Sequence, residues 1–73
     1  MNIATAVQKA ELFLKKKNIK TPILYSQILL SEEIKKKKEF IIFNFDKEIS
    51  NKSLEYFNKL IHQRARGEPI AYL

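Results

Sequence analysis

Apolar residues recur along this chain at helical spacing, in four stretches separated by polar residues. In the first stretch Ile3, Val7, Ala10 and Leu14 follow the i, i+4, i+7, i+11 pattern that lines one helix face, and Ala6 and Phe13 widen the stripe. The spacing predicts a helix over residues 3–17, with Asn2 as N-cap. Lys15, Lys16 and Lys17 fall in its last turn, where cations favour the negative end of the helix dipole, and Asn18 ends it.

The second stretch begins at Thr21, a candidate cap, with Pro22 at the first helical position, where a missing N–H costs nothing. Leu24, Tyr25, Ile28 and Leu29 form a face. Ile23 and Leu30 make the helix apolar over much of its circumference, as expected of a helix central to a bundle. It fades at Ser31-Glu32-Glu33. The third stretch, Phe40-Ile41-Ile42-Phe43-Asn44-Phe45, is readable as a buried strand or a short helix. A strand would have no partner elsewhere in the chain, so a short helix starting near Lys36 is the expectation, followed by a turn at Asp46-Lys47-Glu48.

The fourth stretch has the fullest signature. Ser50 is the N-cap, and Ile49 and Leu54 occupy the two positions of a hydrophobic staple. Leu54, Phe57, Leu60 and Ile61 face inward, and Glu55 and Lys59 are spaced as an i, i+4 ion pair. Arg64 and Arg66 close the last turn, Gly67 suits the left-handed position beyond it, and Pro69 blocks resumption. With one glycine and two prolines the chain lacks the punctuation of a multi-stranded sheet. The fold class is therefore all-α, a small bundle of about four helices over residues 1–67. Residues 68–73, ending Ile70-Ala71-Tyr72-Leu73, read as the start of a linker into an element whose partner is missing.

Seventy-three residues make one domain, and a chain of this size buries only about 60% of its unfolded surface. There is no cysteine, which removes disulfides and thiolate metal sites. The longest apolar run is far below the ~20 residues of a membrane span. No basic segment followed by an apolar stretch marks a secretory signal, so a soluble, cytoplasmic protein is the expectation. The net charge of +6 sets twelve lysines and two arginines against eight acidic residues. Such a balance suits nucleic acid, an acidic protein surface or headgroups. Richness in Lys, Ile and Asn is also the ordinary signature of an AT-rich genome, and phosphate readers favour arginine forks.

Candidate chemistry is sparse. Lys35-Lys36-Lys37-Lys38 is the most visible charge run, a phosphate- or partner-contacting patch in one reading and a solvated helix start in the plainer one. Arg64 and Arg66 are explained by dipole compensation or serve recognition. Lys36, Lys37, Arg64 and Arg66 are thus the candidate partner contacts. His62 sits at the rim of an apolar face. Glu32, Glu33 and Glu39 lie among lysines rather than in a cleft, and one glycine cannot build a phosphate cradle. No residue is assigned to catalysis, to a cofactor or to a metal.

Gly67-Glu68-Pro69-Ile70-Ala71-Tyr72-Leu73, preceded by Gln63-Arg64-Ala65-Arg66, resembles the segment that joins the N-terminal helices to the catalytic domain in release factor glutamine methyltransferases. Ile28-Leu29-Leu30 is similar to that family's leucine-rich second helix. Phe40 to Phe45, with Ile49-Ser50 after it, is similar to its third helix and the entry to its fourth, so the resemblance runs over the whole chain. Two departures stand out: Tyr25-Ser26-Gln27 replaces the usual Asp-Ala-Glu, and Lys35 stands where a glycine is usual.

The resemblance implies an enzyme that moves a methyl group from S-adenosylmethionine to the glutamine of the Gly-Gly-Gln motif in class 1 peptide-chain release factors. Its cofactor loop and Asn-Pro-Pro-Tyr motif would lie in a catalytic domain outside this sequence. The helical domain would bind no cofactor itself and would help hold the release factor. A basic RNA-binding module and a structural cap on the catalytic domain are the alternatives. Some members of the family carry a fused tRNA methyltransferase domain.

Overall fold

An α-helix cannot provide acceptors for its own first four amides. In the computed structural model, which describes residues 1–67, α1 (Ile3–Lys16) finds acceptors for the three of them that it contains, at Ile3, Ala4 and Thr5. Thr5 N donates to Asn2 Oδ1 at 2.9 Å and Ala6 N to Asn2 O at 3.0 Å, so Asn2 caps as its position predicts. The other two acceptors come from far along the chain. Ile3 N donates to Lys47 O and Ala4 N to Phe45 O, both at 2.8 Å, and Ile49 N returns a bond to Met1 O at 3.0 Å. The Met1 ammonium also meets Glu48 Oε1 at 3.1 Å. These contacts form one antiparallel bridge, Asn2 with Glu48, and no strand exists among the described residues.

The first helix buries Ile3, Ala6, Val7, Ala10 and Leu14, the stripe that its spacing marks out. It ends in a Schellman turn: Asn18 adopts φ 62°, Asn18 N donates to Lys15 O, and Ile19 N reaches back to Leu14 O. Helix α2 (Pro22–Ile34) packs against each of the other three helices or lies between them, the central role its apolar circumference predicts. Its inward face differs from the expected one. Ser26, Leu29 and Leu30 are buried, Tyr25 and Ile28 are only half-buried, and Leu24 is exposed. Ser26 is small enough to let neighbouring helices approach, and its hydroxyl donates to Pro22 O at 2.8 Å. A helix apolar on most sides does not encode its own rotation, so packing decided it.

Thr21 precedes α2 as expected but caps nothing. It sits at φ 51°, ψ 53°, and its hydroxyl donates backward to Lys20 O. At the far end Lys35 occupies the left-handed region at φ 57°, with Lys36 N donating to Ser31 O. The tight turn that a glycine would make is therefore made by lysine.

The third stretch is a short helix, α3 (Lys38–Phe43), beginning two residues later than expected with Lys37 as its N-cap. Only Ile41 of its apolar run is buried, because a six-residue helix packed on one neighbour has one inward face. Asn44 ends it, and its side-chain amide donates to Phe40 O. Helix α4 (Asn51–Ala65) opens with Ser50 Oγ accepting from Ser53 N at 3.1 Å, and the staple residue Ile49 is buried. Phe57 and Ile61 enter the core, while Leu54 and Leu60 pack at its edge. Gly67 follows at φ 85°, the left-handed position expected of it. Pro69 and the apolar residues after it lie outside the described residues. Lys59 places its ammonium 5.5 Å from the Tyr56 ring centre and not on Glu55, so the expected ion pair is replaced by a cation–π contact.

Two stability outcomes follow from this arrangement. Lys35→Gly removes the cost of a side chain in the left-handed region and should raise stability by about 0.5–1 kcal/mol, read as a higher urea midpoint at unchanged slope. Leu30→Ala, in a fully enclosed site, should lower it by about 2–5 kcal/mol in the same measurement.

Candidate functional site

The lysine run is divided between two helix ends. Lys35 closes α2, Lys37 caps α3 and Lys38 is already helical, so the four residues serve as the α2–α3 connection. Lys36 is the member that is put to use: its ammonium lies 5.4 Å from the centre of the Phe40 ring, which Lys47 approaches to 5.6 Å. Lys37 is exposed. Glu39, in the first turn of α3, offsets the unfavourable lysines at that helix start.

Arg64 and Arg66 separate as well. The Arg64 guanidinium stacks 4.4 Å from the Tyr25 ring centre, and its Nη2 donates to the Tyr25 hydroxyl at 3.2 Å. Arg64 is therefore a tertiary clamp between α4 and α2, an interaction that the helix-end reading did not contain. Beside it, the exposed His62 ring packs 4.5 Å from the ring centre of Phe13 on α1, a rim position as expected. Lys17 covers the same phenylalanine at 5.7 Å. Arg66 is exposed at the end of α4. The four candidate contacts thus fall at separate places: Lys36 and Lys37 at the α2–α3 connection, Arg64 and Arg66 at the α4 terminus.

The feature sequence reasoning missed lies elsewhere. Helices α1 and α3 both lean on α2 without packing closely on each other, and between them runs an open cleft of about 320 Å³. Its floor is Ile3, Val7 and Ile41; its walls include Ile23, Ile42 and Phe45, which are 48%, 47% and 60% exposed. Among the described residues Glu11 is the one charged side chain lining it. The signal was present in the sequence: the run from Phe40 to Phe45 and the apolar girth of α2 hold more apolar side chains than a small bundle can bury. Among the described residues no three His, Cys, Asp or Glu side chains come together as a metal site. Among these residues no helix is long and apolar enough to cross a membrane.

Comparison with known proteins gives a consistent answer. The family model described as "PrmC N-terminal domain" matches residues 5–73. A release factor glutamine methyltransferase of Buchnera aphidicola is 37% identical over all 73 residues, which span 26% of its length. One from Clostridium acetobutylicum is 38% identical over the same span and also covered to 26%. A bifunctional methyltransferase of Rickettsia conorii is 37% identical over 60 residues, covering 82% of this chain and 12% of the relative. The chain thus spans about a quarter or less of the length of these relatives. No solved structure matches.

The Arg64–Tyr25 clamp is testable by a double-mutant cycle. Arg64→Ala and Tyr25→Leu should show a coupling of about 0.5–1 kcal/mol in thermal or urea unfolding. Because tyrosine is neutral, that coupling should change little between low and high salt.

Proposed function

This chain belongs to the PrmC N-terminal domain family, and from that premise we propose that it helps position a release factor for methylation by a catalytic domain carried further along the same polypeptide. The observation that carries the reading is the match over residues 5–73, together with relatives named release factor glutamine methyltransferase that align with the whole chain. In this reading the parent enzyme uses S-adenosylmethionine and acts on the glutamine of the Gly-Gly-Gln motif. The present residues supply binding, not chemistry. Bulky protein substrates need contacts remote from the reacting atom, and binding energy realised there brings the glutamine to the active site in a reactive orientation.

The disposition of the basic residues supports a protein partner over RNA. Phe13, Phe40, Tyr25 and Tyr56 each carry a cation of the chain itself over the ring. They are therefore not laid out as free platforms for stacking bases. Positive charge spread over the surface instead suits electrostatic steering of a large partner.

The test compares binding of this chain to an unmethylated release factor and to tRNA at two salt concentrations. Measurable release factor binding with only a modest salt dependence is expected. Steeply salt-dependent tRNA binding without release factor binding would overturn the reading. In the parent enzyme, deleting residues 1–67 should raise KM for the release factor more than it lowers kcat. A loss of thermal stability with KM unchanged would instead mark the domain as a structural cap.

A further inference from the structure

We infer that the cleft between α1 and α3 is the surface that receives the release factor, and that it takes an apolar segment of that protein flanked by a lysine or arginine. This inference rests on the positioning role proposed above and specifies the face that performs it.

Three observations select the occupant. The first is charge. Lys and Arg make up 14 of the 73 residues, yet none lines the cleft, and among the described residues Glu11 is its one charged group. A basic protein that gathered nucleic acid here would line the cleft with its cations; this one leaves them out. A single carboxylate on an apolar wall complements a basic side chain beside apolar anchors. The same net charge of +6 on each molecule opposes pairing with a second copy.

The second observation is direction. Around a helix, residues advance about 100° each, so Ile23 and Tyr25 lie on nearly opposite flanks of α2, as Glu11 and Phe13 do on α1. The last turn of α4 is fixed to Tyr25 through Arg64 and to Phe13 through His62. Gly67 is therefore delivered to the flank facing away from the cleft. The last turn of α4 thus leaves the cleft uncovered by any described residue.

The third is the quality of the surface. Ile23, Ile42 and Phe45 remain about half exposed or more around a floor of buried aliphatic residues. Apolar anchors set into a concavity are where protein interfaces concentrate their binding energy. The backbone of Phe45 is held in place, since its carbonyl accepts from Ala4 N, so little backbone ordering remains to be lost there.

The test uses the isotope-labelled 73-residue chain titrated with unmethylated release factor and followed by amide resonances. Signals of Ile23, Ile42 and Phe45 should move most. Ile42→Asp and Phe45→Asp, both at exposed positions and so compatible with the fold, should each weaken binding by about tenfold or more. Their dispersed spectra check that folding is intact. Glu11→Lys should also weaken binding, and Lys37→Glu should leave the cleft signals moving as before. If the cleft variants bind as the unaltered chain does, or the shifts gather on residues 35–38 or on α4, the cleft assignment is wrong while the positioning role stands. If the unaltered chain shows no release factor binding at all, both fall.

Discussion

The start of α1 depends on acceptors that the helix cannot supply. Of its leading amides, Thr5 N is satisfied by the Asn2 side chain, and Ala4 N and Ile3 N by carbonyls of Phe45 and Lys47. Left unpaired and half-buried, such amides would each cost about 1–3 kcal/mol. The segment between α3 and α4 is thereby pinned to the opposite end of the chain. That single constraint places Phe45 at the mouth of the cleft, sets Ile49 into the core ahead of α4, and holds α3 near α1 without packing the two together. The cleft is a by-product of how the first helix is capped.

Charge is handled in a similarly local way. Cations at positions 17, 36, 47, 59 and 64 lie against aromatic rings of the same chain. Lysine stems cover ring faces that a small core cannot enclose, while their ammonium groups stay in water. The module thus keeps a basic surface and a cleft without cations side by side. Long-range attraction and short-range apolar fit are assigned to different residues.

Much of this was legible in the sequence, for identifiable reasons. Helix α1 has one apolar stripe, so its face followed from spacing alone, and α4 carried a cap, a staple and a glycine stop that the structure retains. The rotation of α2 was not legible, because apolar residues on most of its sides leave the choice to its neighbours. Thr21 looked like a cap because its residue type and position are right, and only its left-handed backbone removes the function. The Arg64–Tyr25 clamp joins residues 39 apart, and the ties between residues 2–4 and 45–48 span more than that. No local pattern reports such contacts. The cleft was legible only as a surplus of apolar residues, with nothing in the order of the residues to say where the surplus would be left uncovered.

The tie between the two ends also has a kinetic side. Contacts between α1 and α2 are local, and a helical hairpin of this kind closes a short loop. The bonds from Ile3 and Ala4 to residues 45 and 47 close a loop of roughly 40 residues, whose entropy must be surrendered before any reward arrives. They should therefore form late, after the hairpin and the core it brings with it. Interactions absent from the folding transition state act chiefly by slowing unfolding. The strap at the foot of α1 would then act as a latch: it contributes little to how fast the bundle assembles and more to how long it stays assembled.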